Sequence, residues 1–333
     1  MTKVLFVEGI YSLADPGMKK LSKFAEIKRM SEYYMSVGVT PTPSENEISK
    51  QIKDIDFVVT RWGKISRVVL DNANKLQMIV SDAITTLGNV DLEAANKKGV
   101  LVSAVPFQGD GFSPVAEHAF TLLLAIWRKL FTADKKARSG DFWARREPSL
   151  LPYQLKGRQI GIIGFGNIGR KVARMANAFE MKVLAYDPYV PQDQIKENGA
   201  QAVDLQTLLK NSDIVTIHCA LTEETRHLIG KEELGLMKPE AFLINSARGA
   251  LVDEKALYEV LKNGKIAGAG LDVYETEPPE ASNPILKLGN VVVTPHMAGL
   301  TYETVTAQSI AIAEEIISVM NGETPKYLVK PKK

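Results

Sequence analysis

The sequence has a single cysteine, Cys219, which excludes an internal disulfide. It also lacks an excess of one charge, because 41 Lys and Arg residues are balanced by 39 Asp and Glu residues spread along the chain. A nucleic-acid partner is therefore not expected. No run approaches about 18 uncharged apolar residues, and the apolar stretch after Met1 is too short for a signal peptide. These absences predict a soluble, cytoplasmic protein with no membrane contact.

The 333 residues are enough for about two domains, each with its own core. Short apolar runs alternate with amphipathic segments along most of the chain, which is typical of a parallel α/β architecture. The predicted strands cover residues 4–7, 57–60, 78–80, 100–102, 159–163, 182–186, 213–218, 241–245, 267–272 and 291–294. Proline and glycine interrupt the alternation between Ala104 and Phe112. We therefore predict two α/β units that meet near this segment.

The helices predicted in the first unit cover residues 18–24, 48–53, 68–73 and 92–97. Ser113 and Pro114 are residue types that cap and begin a helix, so another helix is predicted to start there and continue through Leu130. This helix is apolar over much of its circumference and must be buried, either in a domain core or in a dimer interface. A last amphipathic helix is predicted over residues 307–320, and the first domain is discontinuous if that helix packs back on the amino-terminal unit.

A glycine-rich turn directly follows the predicted strand at residues 159–163. Its residues are Gly164, Phe165, Gly166, Asn167, Ile168 and Gly169. Asp187 follows the next predicted strand, and a strand, this glycine spacing and an acid about 20 residues later are typical of a dinucleotide cradle. The Asp187 carboxylate would accept hydrogen bonds from ribose hydroxyls and repel a 2′-phosphate. The sequence therefore favours NAD over NADP.

Arg248 and His296 each follow a predicted strand, at the edge where open α/β sheets bind ligands. The planar guanidinium of Arg248 matches a carboxylate with two charge-assisted hydrogen bonds. By residue type alone, however, an arginine here is more often a surface ion-pair residue and a histidine more often structural.

The other three histidines show the same ambiguity. His118 lies in the apolar helix and is expected to be packed or at an interface, whereas His227 is expected in an exposed helix or turn. His218 ends a strand beside Cys219 and is a candidate for lining a cofactor cleft. Residue type and spacing alone do not choose among these histidines.

The motifs together resemble the D-isomer-specific 2-hydroxyacid dehydrogenases, continuously from about residue 61 to residue 299. The resemblance is carried by Val115-Ala116-Glu117-His118 and by residues 161–169, 218–228, 245–249, 271–278 and 294–299. It implies two doubly wound α/β domains, with a Rossmann NAD-binding domain at residues 105–298 inserted in a flavodoxin-like substrate domain. The substrate domain would consist of residues 1–104 plus 299–333. The resemblance also implies a homodimer.

The resemblance implies that Arg248, Glu277 and His296 are the catalytic residues of a hydride transfer between NAD(H) and C2 of a small 2-hydroxy or 2-keto acid. Arg248 would hold the substrate carboxylate, His296 would act as acid and base, and Glu277 would orient His296. The resemblance also distinguishes Glu277 from Glu275 and Glu280, which residue type alone does not. The implied cofactor contacts are Gly164, Gly166, Asn167, Ile168, Gly169, Asp187, His218, Cys219, Ala247 and Asp272, of which Asp272 would hold the nicotinamide amide; no metal is expected.

The sequence departs from the family on the substrate side, where we predict contacts from Arg61, Trp62, Thr85 and Thr86. Thr85 and Thr86 stand where many relatives carry Gly-x-Gly, so their hydroxyls and Cβ atoms would change the loop. The segment at residues 107–114 is slightly longer than in relatives. Neutral loop variation and an unusual substrate explain these departures equally well.

Glyoxylate, hydroxypyruvate, pyruvate and 3-phosphohydroxypyruvate are the candidate substrates, with Arg61 and Lys64 as cations for a phosphate. Three other functions compete. A phosphite dehydrogenase resembles the whole chain but carries lysine where this chain has Thr85. An NAD-sensing corepressor would bind the cofactor without turnover, and a generic NAD-binding domain would not need the combination of Arg248, Glu277 and His296.

Overall fold

The structure is a computed structural model that describes residues 1–8, 15–30, 43–82, 84–106 and 111–330, with only the backbone of residues 84–86. It divides into two compact units, Met1–Gly111 with Leu300–Lys333, and Phe112–Gly299. The domain boundaries predicted from the sequence, after residues 104 and 298, each precede the corresponding division. Each unit is a parallel α/β sheet with helices on both faces.

Within the described residues, the strands are β1 (Thr2–Phe6), β2 (Ala25–Arg29), β3 (Phe57–Thr60), β4 (Met78–Ser81), β5 (Leu101–Ala104), β6 (Gln159–Ile163), β7 (Lys182–Tyr186), β8 (Gln201–Ala202), β9 (Ile214–Ile217), β10 (Phe242–Asn245), β11 (Gly268–Leu271) and β12 (Val291–Val293). The α-helices are α1 (Pro16–Leu21), α2 (Glu45–Gln51), α3 (Arg67–Asp71), α4 (Leu92–Lys97), α5 (Ser113–Trp127), α6 (Leu130–Arg138), α7 (Asn167–Ala178), α8 (Gln192–Glu197), α9 (Leu205–Asn211), α10 (Lys231–Leu236), α11 (Glu254–Lys262) and α12 (Tyr302–Met320). Short 3₁₀ helices cover Ile52–Asp54, Ile84–Asn89, Phe142–Arg146, Pro148–Leu150, Gly249–Leu251 and Pro284–Lys287. In these described segments, no helix is both long and apolar enough to cross a lipid bilayer.

The first unit has a parallel sheet with the strand order β2-β1-β3-β4-β5. This is the flavodoxin-like order, which confirms the expected fold. All residues of β3 and β4 are buried, as expected for a parallel sheet covered on both faces. Helix α12 returns to this unit and packs closely on α1. The approach is so close that a Cβ atom on Gly17 would lie 2.0 Å from the carbonyl oxygen of Ser309.

The second unit has a seven-stranded parallel sheet with the order β12-β11-β10-β9-β6-β7-β8. The order reverses between β6 and β9, as it does at the ligand-binding switch point of doubly wound sheets. Separate clusters of buried apolar side chains cover its two faces. This Rossmann-like topology also agrees with the expected fold.

Helix α5 lies in the core of the second unit. Its buried face includes Phe120, Leu122 and Leu123 and packs in one apolar cluster with α7 and the sheet. The prediction of a single helix through Leu130 was wrong, because Lys129 adopts a left-handed conformation with φ of 53° and α6 begins after it. Leu130 is consequently exposed.

Two strands were missed in the sequence. The first is β2, Ala25–Arg29, in which charged residues alternate with apolar ones at the edge of the first sheet. The second is β8, which has only two residues, at the edge of the second sheet. Both were missed because edge strands are only partly buried and so lack a continuous apolar run.

Candidate active site

Five neighbouring strands of the second unit end side by side. The paired residues at their carboxyl ends are Ile163 with Ile217, Ile217 with Asn245, Asn245 with Leu271, and Leu271 with Val293. Because all five strands are parallel, the segments that follow them emerge at the same edge of the sheet. These segments carry the glycine-rich turn, His218, Arg248, Glu277 and His296.

The glycine-rich turn leaves β6 and leads directly into α7. Gly164 has a φ of 89°, and a Cβ atom there would lie 2.5 Å from the backbone nitrogen of Cys219. Only glycine fits this conformation and this contact. Gly166 forms the N-cap of α7, and a Cβ atom on it would have no neighbour within 4 Å among the described atoms. The turn therefore presents a helix N-terminus with open space beside it, as an anion-binding site requires.

Asp187 lies beside this turn at the end of β7. Its Oδ2 accepts a hydrogen bond of 2.8 Å from the backbone N–H of Phe165, and its Oδ1 accepts one of 2.9 Å from that of Tyr189. Each carboxylate oxygen has a second acceptor position. The carboxylate is thus fixed next to the turn while retaining acceptor capacity for ribose hydroxyls.

Two buried polar atoms at the ends of β9 and β10 have no hydrogen-bond partner among the described residues, His218 Nδ1 and Ser246 Oγ. His218 Nε2 lies 2.9 Å from Thr216 Oγ1. Burial lowers the pKa of His218 to about 3, so the ring is neutral at physiological pH. These two orphaned groups, the open face of Gly166 and the position of Asp187 all fit a polar dinucleotide at this edge.

Cys219 follows His218 against the glycine-rich turn. Burial raises the pKa of its thiol to about 11, and the charge of Asp187 adds to this effect. The thiol therefore stays protonated and is a poor nucleophile. Cys219 can line the cofactor site but is not suited to covalent catalysis.

Arg248 lies in a turn that is held by its own neighbours. The amide of Asn245 donates a 2.9 Å hydrogen bond to the Arg248 carbonyl and accepts one of 3.1 Å from the Ala247 N–H. A guanidinium nitrogen, Nη1, donates to the Ala247 carbonyl at 2.5 Å. Within the described part of the chain, no carboxylate pairs with Arg248. Its guanidinium therefore remains suited to binding an external anion.

The Arg248 turn touches the loop that carries the glutamates. A Cβ atom on Gly249 would lie 1.9 Å from the carbonyl carbon of Tyr274, so only glycine permits this approach. Within the loop, the Tyr274 N–H donates a 3.0 Å hydrogen bond to Glu277 Oε1. The other oxygen, Glu277 Oε2, lies 2.6 Å from His296 Nδ1. The structure therefore brings Glu277 and His296 together, as the family resemblance implies, with Arg248 on an adjoining turn.

The three glutamates of this loop have different partners. Glu277 binds His296, Glu275 Oε1 lies 2.7 Å from His227 Nε2, and Glu280 accepts a hydrogen bond from Ser282. Only Glu277 faces a histidine at the end of a strand. The three glutamates are thus distinguished by their contacts, whereas the catalytic role of Glu277 remains a prediction.

Asp272 is fully buried at the end of β11. Its Oδ1 accepts hydrogen bonds from the Thr294 hydroxyl at 2.5 Å and the Met297 N–H at 2.9 Å, and its Oδ2 accepts one from the Ala298 N–H at 2.8 Å. Burial raises the pKa of Asp272, but these donors and His118 outweigh it and hold the pKa below its usual value. The carboxylate is thus an ionised anchor for the segment that carries His296. Its predicted contact with the nicotinamide amide remains a prediction.

His118 was expected to be packed or at an interface, but it joins Asp272 and Thr294 in a polar cluster. Its Nε2 lies 2.9 Å from Thr294 Oγ1 and 3.4 Å from Asp272 Oδ1. Sequence reasoning missed this role, although His118 lies in one of the motifs that carry the family resemblance. Within the described residues, no group of His, Cys, Asp or Glu side chains is arranged to hold a metal ion.

The predicted substrate residues belong to the first unit. Arg61 is buried, and its Nε donates a 2.8 Å hydrogen bond to Asp82 Oδ1, whereas Trp62 is exposed. The backbone of Thr85 and Thr86 lies in the 3₁₀ helix Ile84–Asn89, and their side chains lie outside the described atoms. Residues 107–110 of the longer segment also lie outside the described residues.

Glu8, which the sequence analysis did not select, organises the Arg61 turn. Its carboxylate accepts hydrogen bonds from the backbone N–H groups of Arg61, at 2.9 Å, and Trp62, at 2.8 Å, and also from that of Gly63. Burial raises the pKa of Glu8 despite these donors, and nearby Asp82 raises it further. Glu8 thus fixes the backbone of the turn that bears two predicted substrate residues.

Comparisons with known proteins agree with the geometry of this edge. Residues 120–298 match the family described as D-isomer specific 2-hydroxyacid dehydrogenase, NAD binding domain. The chain belongs to this family. It is accordingly an NAD-dependent oxidoreductase that acts on CH–OH groups.

Among similar curated proteins, a glyoxylate reductase of Thermococcus litoralis is 39% identical over 95% of this chain and 94% of its own length. A D-3-phosphoglycerate dehydrogenase of Methanocaldococcus jannaschii is 38% identical over 99% of this chain, which spans only 59% of that relative.

Among solved structures, the apo form of D-lactate dehydrogenase from Escherichia coli is similar, with a TM-score of 0.84 and 29% identity. The match covers 99% of this chain and 100% of that one. An acyclic imino acid reductase in complex with NADPH and D-Arg is also similar, with a TM-score of 0.76 and 30% identity. The match covers 99% of this chain and 100% of that one.

Proposed function

We propose that the protein interconverts a small 2-keto acid and the corresponding 2-hydroxy acid with NAD(H) as cofactor. The observation that carries this proposal is the 2.6 Å contact between His296 Nδ1 and Glu277 Oε2, at the sheet edge that also carries Arg248 and the glycine-rich turn. An acid/base group, an anion-binding group and a dinucleotide cradle are the parts that such a reaction needs.

Arg248 would bind the substrate carboxylate with its planar guanidinium. Asn245 holds the Arg248 turn through both atoms of its amide group, so the guanidinium starts from a restrained backbone. Two parallel charge-assisted hydrogen bonds would then fix the orientation of the reacting carbon.

His296 would exchange a proton with the substrate oxygen through Nε2, because Nδ1 is engaged with Glu277. In reduction the protonated ring donates to the keto oxygen, and in oxidation the neutral ring accepts the hydroxyl proton. Glu277 orients the ring and stabilises its protonated form. When bound, NADH supplies the hydride for C2 of the substrate.

The proposed cofactor is NAD, held by the glycine-rich turn and Asp187, with contacts from His218, Cys219 and Ala247. The Asp187 carboxylate accepts two backbone hydrogen bonds and is not neutralised by a neighbouring cation among the described residues. It would therefore repel the 2′-phosphate of NADP. The similar reductase with bound NADPH makes a direct comparison of both cofactors necessary.

We propose an unphosphorylated acid as the substrate. The two cations that the sequence offers for a phosphate both have carboxylate partners in the described structure, Arg61 with Asp82 and Lys64 with Glu45. Binding a phosphate would require breaking these pairs, and the Arg61 pair is buried. Glyoxylate, pyruvate and hydroxypyruvate are therefore favoured over 3-phosphohydroxypyruvate.

We also propose a homodimer formed by the second unit. The segment at residues 130–153 carries several large apolar side chains that are exposed. Six of them are between 55% and 63% exposed: Leu130, Phe131, Phe142, Trp143, Leu151 and Tyr153. The segment borders a groove of about 730 Å³. Such a concentration of exposed aromatic groups is typical of a protein interface. Light scattering should give twice the 36.6 kDa of one chain, and Phe142→Asp should weaken the dimer more than Phe24→Asp on the other unit.

The reaction is tested by following NADH absorbance with the four candidate keto acids, with NADPH in parallel. We expect turnover of an unphosphorylated acid with NADH, and loss of turnover in Arg248→Ala with unchanged NADH binding. NADH binding without turnover of any acid would contradict the proposal and favour the NAD-sensing function. Oxidation of phosphite would favour the phosphite dehydrogenase instead.

A further inference from the structure

We propose that His118 is a positioning residue for His296 and acts through the hydroxyl of Thr294. This inference rests on the proposed function, in which His296 is the acid/base residue. It assigns a catalytic contribution to a histidine on α5 that does not itself contact the reacting groups.

The direction of each hydrogen bond in this cluster follows from the number of available protons. The Thr294 hydroxyl lies 2.5 Å from Asp272 Oδ1, and an ionised carboxylate can only accept, so Thr294 donates its single proton to Asp272. Thr294 Oγ1 must therefore accept from His118 Nε2, 2.9 Å away. His118 accordingly carries a proton on Nε2, whether its ring is neutral or charged.

The same cluster constrains the backbone on both sides of His296. The His296 N–H donates to the Asp272 carbonyl at 2.8 Å, and the next two N–H groups, of Met297 and Ala298, donate to the Asp272 carboxylate. The Thr294 carbonyl accepts a 3.0 Å hydrogen bond from the Tyr274 hydroxyl. The backbone from Thr294 to Ala298 is thus held at both ends by a small number of polar groups.

This restraint is needed because His296 has a left-handed backbone conformation, with φ of 53°. A non-glycine residue in this region is strained and persists only where the surroundings impose it. The Thr294 side chain must remain in one rotamer to donate to Asp272. The His118 N–H selects that rotamer by occupying the acceptor side of the hydroxyl.

His118 is itself rigidly placed on α5. The next residue, Ala119, and Leu122, one turn further along the helix, are both buried in the core of the second unit. A Cβ atom on Gly270 of β11 would lie 3.0 Å from Leu122 Cβ, so the helix packs closely on the strand that precedes Asp272. The position of α5 is therefore transmitted to the His296 segment through a hydrogen bond between fixed elements.

The proposal is tested by comparing His118→Phe, which removes the donor, with His118→Gln, whose amide can restore it. We expect His118→Phe to lower kcat about 10- to 100-fold by misplacing His296, to alter the pH profile of kcat, and to leave the KM for NADH unchanged. His118→Gln should recover most of the rate. Thr294→Val should match His118→Phe, and the double variant should be no worse than either single variant.

A spectroscopic measurement separates this inference from the proposed function. The proton in the 2.6 Å contact between His296 and Glu277 should give a downfield NMR signal that needs no substrate. We expect the signal in the wild type and His118→Gln, and its loss or displacement in His118→Phe and Thr294→Val. The matched control is Thr121→Ala, which changes an exposed residue three positions after His118 on the same helix. It should leave the signal and any turnover unchanged.

The outcomes distinguish the two ideas. If the wild type turns over no keto acid but the signal responds to His118 as described, the positioning role stands and the reaction is wrong. If the wild type turns over a keto acid but the Phe and Gln variants have equal rates and unchanged signals, the positioning role is wrong. Equal losses of NADH affinity or thermal stability in both variants would also contradict it, because those changes indicate a purely structural role.

Discussion

The second unit contains two histidine–glutamate pairs whose local chemistry is nearly the same. His296 lies 2.6 Å from Glu277, and His227 lies 2.7 Å from Glu275. Both histidines have left-handed backbones, with φ of 53° and 52°, and the two glutamates are two positions apart in one loop. Each glutamate also accepts a backbone N–H, from Tyr274 or from Glu254.

The surroundings of the two pairs differ. The backbone of His296 is bound to the buried Asp272 at a strand end, whereas the N–H of His227 donates to the Ala250 carbonyl. Glu275 exchanges hydrogen bonds with Glu254 at the start of α11 and so connects two segments of the surface. The two pairs thus differ in their place relative to the edge of the sheet and in their anchor, and the proposed catalytic role of His296 and Glu277 rests on these differences, not on the pair itself.

The largest contrast is expected from removing each histidine. His296→Ala should lower kcat about 10²- to 10⁴-fold, because general acid–base catalysis is lost. His227→Ala should change kcat by less than about two-fold, since it removes only an exposed contact. Steady-state rates with the best keto acid measure both effects, and equal losses in the two variants would remove the distinction between the pairs.

Arg248→Ala should have the next largest effect. Loss of a bidentate carboxylate contact should lower kcat/KM about 10²- to 10³-fold. Arg248→Lys should be intermediate, because lysine keeps the charge without the planar fork. Arg226→Ala, beside the His227 pair, is the control and should have little effect. If Arg226→Ala were as damaging, the substrate would bind near the wrong histidine.

A smaller difference is expected between the two glutamates. Glu277→Gln should lower kcat about 10- to 100-fold because the ring of His296 loses its charged partner, with thermal stability little changed. Glu275→Gln should leave kcat near the wild-type value and lower the free energy of unfolding by at most about 1 kcal/mol, as for an exposed ion pair. Rates and thermal unfolding on the same samples check the pair of predictions.

Beyond these effects on rate, a difference in stability is expected from the anchor, Asp272, which has no counterpart beside His227 in the described residues. The pKa of Asp272 is below its ordinary value of 3.8, so its ionised form stabilises the fold above that pH. Asp272→Asn should lower the free energy of unfolding by about 1–3 kcal/mol near neutral pH. The amide N–H of asparagine would face backbone N–H donors that now bind a carboxylate oxygen. The cost should shrink as the pH falls below 3.8 through the lowered pKa, where the wild type also loses its charge.

Urea unfolding at a series of pH values measures this cost. Asp193→Asn is a suitable control, because it makes the same chemical change at an exposed position in the first turn of α8. A difference between wild type and Asp272→Asn that did not depend on pH would contradict the assignment of Asp272 as an ionised anchor.

Several parts of this arrangement could be predicted from the sequence. The strands that are continuously apolar, such as β6 and β9, were predicted because parallel strands are buried on both faces. The glycine-rich turn followed from the spacing of Gly164, Gly166 and Gly169. Arg248, Glu277 and His296 were selected by the family resemblance, since residue type left each of them ambiguous.

Other parts could not be predicted from local patterns. The break between α5 and α6 depends on the left-handed Lys129, which no apolar periodicity indicates. His118 was expected to be a packing residue, and its contact with Thr294 joins positions 176 residues apart. Glu8 lies more than fifty residues before the Arg61 turn that it holds. Long-range hydrogen bonds of this kind leave no periodic signal in the sequence.

The class of architecture and the available chemical groups could be predicted from the amino acids alone, because burial imposes a periodic pattern and a dinucleotide turn imposes a glycine spacing. The structure adds that Glu275 meets His227 and that Asp272, Thr294 and His118 hold the segment of His296, neither of which the sequence indicates. The physical reason is that parallel strands bring distant residues to one edge, where a contact of less than 3 Å depends on the packing of the whole unit rather than on neighbours in the chain.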